Sequence, residues 1–200
     1  MKNLFNRLST AFPALLVVAL MTISTGIFAQ VNYSAQAVQV TVKGESTMHD
    51  WIMTSSQGRI NASFSMNQEK LTGLAGLSFT IPAESLKSEK GSTMDKNAYK
   101  ALKTGAHKNI NFVLTSAKVL KADGAVYTVE VHGNLTIAGS TKAIVMTPTM
   151  KWNAADKSFT CSGNYKFKMT QFGMTPPSLM LGAIKVGDDL EIVYNLKINP

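Results

Sequence analysis

The chain has one cysteine, Cys161, in 200 residues, which excludes an intramolecular disulfide and any thiolate metal cluster. Histidines number three, His49, His107 and His132, and none stands at the H-x-H or H-x-x-x-H spacing of a ligand pair. A zinc site would need chance convergence in space, and no metal or other cofactor is expected. There is no G-x-S-x-G, no P-loop and no dinucleotide glycine fingerprint, so no motif marks an enzyme. Acids are few, 12 against 20 Lys and Arg. The +8 charge includes Lys2 and Arg7, and the remaining excess of +6 is spread over strands and turns. Without a cluster of basic residues interleaved with aromatics this is a solvated surface and not a nucleic-acid footprint. Aromatics make up only 8%, too few for the two girdles of an outer-membrane barrel.

Long apolar runs are also missing, apart from Ala11–Met21 behind Lys2 and Arg7. That run is shorter than the roughly 20 residues of a membrane span and contains Pro13. Followed by small residues through Ala29, it predicts a secretory signal peptide over residues 1–29, cleaved to leave Gln30 first. No cysteine follows it, so a lipid anchor is not expected. Residues 30–200, with no Pro-rich or low-complexity linker, fit one periplasmic or secreted domain with no transmembrane segment in the mature chain.

What the chain does have is alternation. From Ser158 to Thr170, Phe159, Cys161, Tyr165, Phe167 and Met169 share one parity while Ser, Thr, Asn and Lys hold the other. A strand with one dry and one wet face follows, and Cys161 reads as a buried inert thiol. The same pattern marks Val38–Val42, then Ile60, Ala62, Phe64 and Met66, then Ala75, Leu77, Phe79 and Ile81 up to Pro82. It returns at Ile110–Leu114, from Tyr127 to Ile137, from Ile144 to Trp152 and from Leu190 to Ile198, with turns at Asn67–Lys70, Asp123-Gly124, Ala138–Ser140 and Asn153–Asp156. Short connections make neighbours antiparallel. One helix is expected over Met94–Lys103, capped by Ser92 or Thr93 and stopped at Gly105. The fold class is therefore all-β, about eight antiparallel strands in a lipocalin-like barrel with one short helix. A two-sheet sandwich has the same alternation. Twelve residues at about 3.3 Å each, tilted near 40°, give a barrel roughly 30 Å tall, the height of a long-chain molecule.

Two segments depart from the alternation. Ser46-Thr47-Met48-His49-Asp50-Trp51 is a compact polar and aromatic cluster. Because adjacent strand residues face opposite ways, it reads as a turn in which Ser46 or Asp50 bonds backbone and Trp51 plugs one barrel end. A hydrolase or isomerase centred on His49 is the rival reading. Phe172–Gly182 is an apolar loop between strands, a plug or an adaptable lid carrying Met174, Leu179, Met180 and Leu181.

Gly133-Asn134-Leu135-Thr136-Ile137-Ala138-Gly139-Ser140-Thr141-Lys142, Asn109-Ile110-Asn111-Phe112, the helix with Asp95 and Gln171-Phe172-Gly173 occur in an order and spacing that resembles the YceI-like family. Gln171 stands where the family has an acid, and Met48-His49-Asp50-Trp51 replaces its His-Leu-Gly type strand. The resemblance covers about Val38 to Ile198. It implies a secreted lipocalin-like barrel holding an amphiphile with an isoprenoid or acyl tail, such as a polyisoprenoid, an isoprenoid quinone or a fatty-acyl lipid, and no catalytic residues.

The candidate wall of a ligand site is drawn from the inner parities: Val40, Ile60, Phe64, Leu77, Phe79, Phe112, Leu114, Val129, Val131, Tyr165, Phe167 and Ile192. Space for a tail is expected beside Gly163. His49, Trp51, Met174, Leu179 and Met180 are candidates for the mouth or lid. The rival without a ligand is a closed, filled barrel acting as a surface or partner-interaction protein, and a homodimer is left open.

Overall fold

The computed structural model describes residues 29–200; the predicted signal peptide lies almost entirely outside the described residues. Strands β1 (Ala29–Ser46), β2 (Trp51–Asn67) and β3 (Lys70–Pro82) follow one another, and two-residue β4 (Lys87–Ser88) precedes helix α1 (Ser92–Ala101). Then come β5 (Asn109–Asp123), β6 (Val126–Ile137), β7 (Ser140–Met146), β8 (Thr149–Asn153), β9 (Ser158–Lys168), two-residue β10 (Ser178–Leu179) and β11 (Ile184–Ile198).

Every pairing is antiparallel. The order β1-β11-β9-β8-β6-β5-β3-β2 returns to β1, which also pairs with β2. The sheet is therefore a closed eight-stranded barrel and not a sandwich. β7 and β8 share one place in the wall: β6 pairs with β7 through Val131–Ile137 and with β8 through Val126–Thr128. The break falls at Thr147-Pro148, where proline cannot donate to a ladder. β4 and β10 lie outside the ring, against β2 and β11.

Alternation follows the expected parity over most strands. Ile60, Ala62, Phe64 and Met66 are buried between exposed or half-buried neighbours, as are Tyr127, Val129, Val131 and Leu135. β-bulges account for the exceptions, since one extra residue shifts every later side chain to the other face. A shift between Ser63 and Phe64 pairs Phe64 with Leu74, which is buried, and leaves the predicted Ala75 exposed. A shift between Leu114 and Ser116 passes the inner parity to Ala117 and Val119. β1 begins nine residues before the predicted Val38, with Tyr33 and Ala35 buried. β9 ends at Lys168, and Met169–Phe172 is a 3₁₀ turn.

The helix sits two residues earlier than predicted, and neither of its ends is the expected one. Its N-cap is Gly91 without a side-chain cap, and the left-handed residue beyond its C-terminus is Lys103 at φ 54°, not Gly105. Tertiary bonds replace the cap. Buried Asp95 accepts a bond from the Ser88 amide at 2.8 Å, and the Tyr99 hydroxyl lies 2.8 and 2.9 Å from the carbonyl oxygens of Glu84 and Leu86. Together they hold α1 across the barrel end beside β4.

The opposite end, near the β2–β3 and β8–β9 turns, is filled with rings. Phe64 and Phe159 are fully buried with centroids 4.5 Å apart; Tyr33 meets Phe64 edge-on at 4.9 Å, and Trp152 lies 4.9 Å from Phe159.

Inside the wall, rings lie over glycines of the neighbouring strand. A methyl on Gly44 would overlap the Trp51 ring, and one on Gly163 would sit 2.5 Å from the Tyr194 hydroxyl oxygen. At Gly133 it would overlap the Phe112 ring and approach the Val113 carbonyl oxygen to 2.6 Å. The space expected beside Gly163 is thus occupied by Tyr194, its register partner. Because Gly133 meets backbone as well as a ring, Gly133→Ala should destabilise by about 2 kcal/mol through overpacking, read as a lowered midpoint in urea.

Asp156, in the β8–β9 turn, accepts bonds from the Ser158 hydroxyl (2.6 Å) and from Lys197 of β11. The Lys197 bond first, then Ser158, holds its carboxyl down at about 2 from an ordinary 3.8. A folded-state value below the unfolded one means stability that is present above the unfolded value and lost as pH falls through the folded one. Asp156→Asn should therefore lower the melting temperature at pH 6, with the gap from wild type closing between about pH 4 and pH 2.

Candidate functional site

The barrel is not filled along its whole length. Two cavities of about 290 and 130 Å³ follow one another in the lumen and share Val42, Leu86, Ile110 and Ile192 as wall residues. The larger lies at the mouth, under α1 and the 172–186 segment; the smaller lies deeper, above the ring cluster. Their walls are almost wholly carbon.

The deeper cavity is lined by Val40, Ile60, Leu77, Phe79, Phe112, Val131, Tyr165 and Ile192 among the predicted wall residues. Phe167 lies at the mouth, and Ile192 borders both cavities. Three predicted residues line neither. Phe64 belongs to the ring cluster, Val129 is fully buried in packed core, and Leu114, next to its bulge, is half-buried against the core. Parity alone cannot separate these, because a packed residue and a cavity-lining residue face the same way.

At the mouth, His49, Trp51, Met174 and Leu179 line the cavity as predicted, whereas Met180 does not and is 73% exposed. The 46–50 segment is a turn: Ser46 Oγ donates to the His49 carbonyl oxygen at 2.8 Å and accepts from the His49 amide at 3.2 Å. His49 Nδ1 lies 2.9 Å from the Asp50 carbonyl oxygen, so ring and carboxylate are not paired. Trp51 is buried, lies over Gly44 and donates from Nε1 to the Glu45 carbonyl oxygen at 3.1 Å. The other histidines stand elsewhere. His107 packs on Gly139 in the β6–β7 turn, and His132 lies 3.0 Å from Glu130. Among the described residues no three His, Cys, Asp or Glu side chains are grouped to hold a metal.

The apolar loop divides in two. Phe172 and Met174 are buried, with Phe172 edge-on to Phe167 at 5.3 Å. Thr170 donates from its amide (2.9 Å) and hydroxyl (2.7 Å) to Asp188, fixing the start of the loop to β11. These bonds hold the Asp188 carboxyl below its ordinary range.

Sequence reasoning missed the contribution of α1. Met94, Ala98, Ala101 and Leu102 form one side of the mouth cavity, with Lys90, Thr93 and Asn97 adding polar atoms at its rim. The signal was present, since apolar residues at spacings of four and three mark a helix face that must cover something. Leu86, on the segment before β4, also lines both cavities.

The YceI-like domain profile matches residues 28–198. The chain belongs to the YceI-like domain family. No curated protein matches it. Among solved structures, Burkholderia cenocepacia BcnA superposes with TM-score 0.62 at 18% identity, over 81% of this chain and 96% of that one. A polyisoprenoid binding domain from Saccharophagus degradans, implicated in plant cell wall breakdown, gives 0.61 at 10% identity over 86% and 99%. The Campylobacter jejuni YceI protein gives 0.52 at 20% identity over 72% and 84%. At such identities the shared property is the fold: this YceI-like chain has the barrel of its relatives. Among the described residues no helix is long and apolar enough to cross a membrane.

The cysteine of this YceI-like barrel lines the deeper cavity, and burial pushes its thiol up to about 12. At pH 8 Cys161 should not react with a disulfide reagent such as dithionitrobenzoate while the barrel is folded, and should react fully in denaturant. Rapid labelling of the native protein would contradict the burial described.

Proposed function

We propose that this protein is a non-enzymatic binding module that holds one long-chain amphiphile, with an isoprenoid or fatty-acyl tail along the lumen and its head at the mouth. The observation that carries this reading is the pair of consecutive apolar cavities in one closed barrel, open at one end and filled by rings at the other. Each CH₂ moved from water into such a wall contributes about 0.8 kcal/mol, offset in part by the cost of ordering a floppy tail. A chain of many methylenes or isoprene units is the ligand that gains most from a narrow carbon-lined slot. Lys90, Thr93, Asn97 and His49 at the rim supply polar atoms for a head group. That the Saccharophagus degradans neighbour is a polyisoprenoid binding domain supports an isoprenoid tail.

The site of action proposed is the periplasm or the extracellular space. Lys2 and Arg7 ahead of Ala11–Met21 support it, as does a chain with one buried cysteine and therefore no need of a reducing compartment.

Ala98 faces the mouth cavity from α1. Ala98→Trp should place an indole where the amphiphile enters and abolish its retention, while shifting the melting temperature by no more than about 3 °C because the ring occupies existing space. Native mass spectrometry of protein isolated from its own host should show a bound amphiphile in the wild type and none in the variant. A wild-type barrel that is ligand-free and also ignores added isoprenoid quinones would overturn the reading in favour of a closed partner-interaction protein.

A further inference from the structure

Three large apolar side chains at the mouth stand largely in solvent, one of them, Met48, also bordering the mouth cavity. Met48 is 63% exposed, Met180 73% and Leu181 fully exposed. They belong to two loops that the fold joins. The Thr47 amide donates to the Lys185 carbonyl oxygen at 3.0 Å, the Lys185 amide donates to Thr47 Oγ1 at 3.1 Å, and Thr47 Oγ1 donates to the Ala183 carbonyl oxygen at 3.3 Å. The residue before Met48 is thereby tied to the backbone that follows the Met180–Leu181 turn. Both residues of that turn have left-handed backbone, at φ 50° and 55°, a conformation that non-glycine residues adopt at a cost and keep only where surroundings impose it. The apolar anchors of the same loop, Phe172 and Met174, are already buried. Met180 and Leu181 are thus held outward and are not stray pieces of the core.

The α1 side of the same barrel end is basic. Between Lys87 and Lys108 stand six lysines and two acids, and one of those acids, Asp95, is buried at the start of α1. Lys96 and Lys100 are exposed on the helix. Lys103 donates to the Gly173 carbonyl oxygen at 2.8 Å and so stands against the loop itself, while Lys185 flanks Gly182. On the α1 side Lys90, Lys96, Lys100, Lys103 and Lys108 outnumber exposed Glu84 and Glu89, while the 45–50 and 188–189 side of the mouth carries Glu45, Asp50, Asp188 and Asp189, with Lys168 paired to Asp189 and Lys87 to Asp95.

Apolar tips beside a lysine-rich helix fit an anionic bilayer interface, where short apolar side chains enter the acyl boundary and cations meet headgroups. We infer that the mouth of the barrel docks on anionic membranes, inserting Met48, Met180 and Leu181, so that the cavity opens onto the bilayer surface. The use of this contact, passing an amphiphile between bilayer and lumen, rests on the ligand reading above; the docking itself does not.

Protein isolated from cells expressing the whole chain would be sedimented with vesicles of phosphatidylcholine alone or with about 30% phosphatidylglycerol. All variants share residues 1–29 or their processing, so differences report on the mouth. Wild type should bind the anionic vesicles, less so as salt rises past the roughly 10 Å screening length of 0.1 M. The Met180→Ser, Leu181→Ser double variant should bind about tenfold more weakly. Lys96→Glu, Lys100→Glu should lose the salt-sensitive part of binding. Both should keep the wild-type melting temperature and the wild-type mass of bound amphiphile. A wild type that ignores anionic vesicles, or a serine variant that binds them as tightly as wild type, would overturn the inference and leave the patch to a protein partner. Docking by a chain that carries no amphiphile would uphold the inference and sink the ligand reading instead.

Discussion

Closure of the wall through β1 is the constraint on which the rest depends. Val40–Gly44 is paired on one side with Ser55–Trp51 of β2 and on the other with Tyr194–Leu190 of β11. No other strand can join those two, because each is occupied on its far side by β3 or β9. With both ladders made, no long edge remains and every strand has an inside and an outside. The inner parity then becomes a lumen, and what stands in it decides whether the molecule is a plug or a container.

Two devices keep the lumen from collapsing into core. Rings at Trp51, Phe112 and Tyr194 reach over Gly44, Gly133 and Gly163 of the neighbouring strand, so these large side chains fill space left by glycine in the wall. The rings at the closed end, Phe64, Phe159, Tyr33 and Trp152, do the reverse and pack on one another. Dispersion favours contact wherever two rings can reach each other. A glycine opposite each ring gives it a partner surface in the wall itself, and the axis above the cluster stays open.

The fold was legible in the sequence because period-two alternation survives in almost every strand, and the turns at Asn67–Lys70, Asp123-Gly124 and Ala138–Ser140 separate them as read. Where the reading failed, a bulge or a tertiary bond overrode local pattern. Ala75 left the inner face at the Ser63–Phe64 shift. The helix stop moved from Gly105 to Lys103, whose Nζ is bonded to the Gly173 carbonyl, although glycine adopts that backbone more readily. The site was half legible. Nine of the twelve wall residues border a cavity, but Phe64, Val129 and Leu114 do not, since facing inward says nothing of whether a neighbour fills the space. The part α1 plays was missed because the spacing of Met94, Ala98, Ala101 and Leu102 marks a helix and its apolar face but not what that face covers.

The asymmetry of the two ends sets how a ligand must move. On the proposed reading a tail enters past α1 and the 172–186 segment, because the far end is occupied by buried rings in mutual contact. A molecule that enters tail-first through a single opening leaves its head at that opening, among Lys90, Thr93, Asn97 and His49. Release must retrace the same route, so the rate is governed by how readily the cover yields and not by the length of the barrel. The cover is held by bonds outside the eight-strand ring: Asp95 to Ser88, Tyr99 to the Glu84 and Leu86 carbonyls, Thr47 to the Ala183–Lys185 backbone, Lys103 to Gly173, Thr170 to Asp188, and the two-residue ladders of β4 and β10. None lies in the barrel ladder. Because these bonds are separate from the ring of eight strands, loosening the cover would leave the wall intact, and on the proposed reading exchange of a ligand is separable from the stability of the fold.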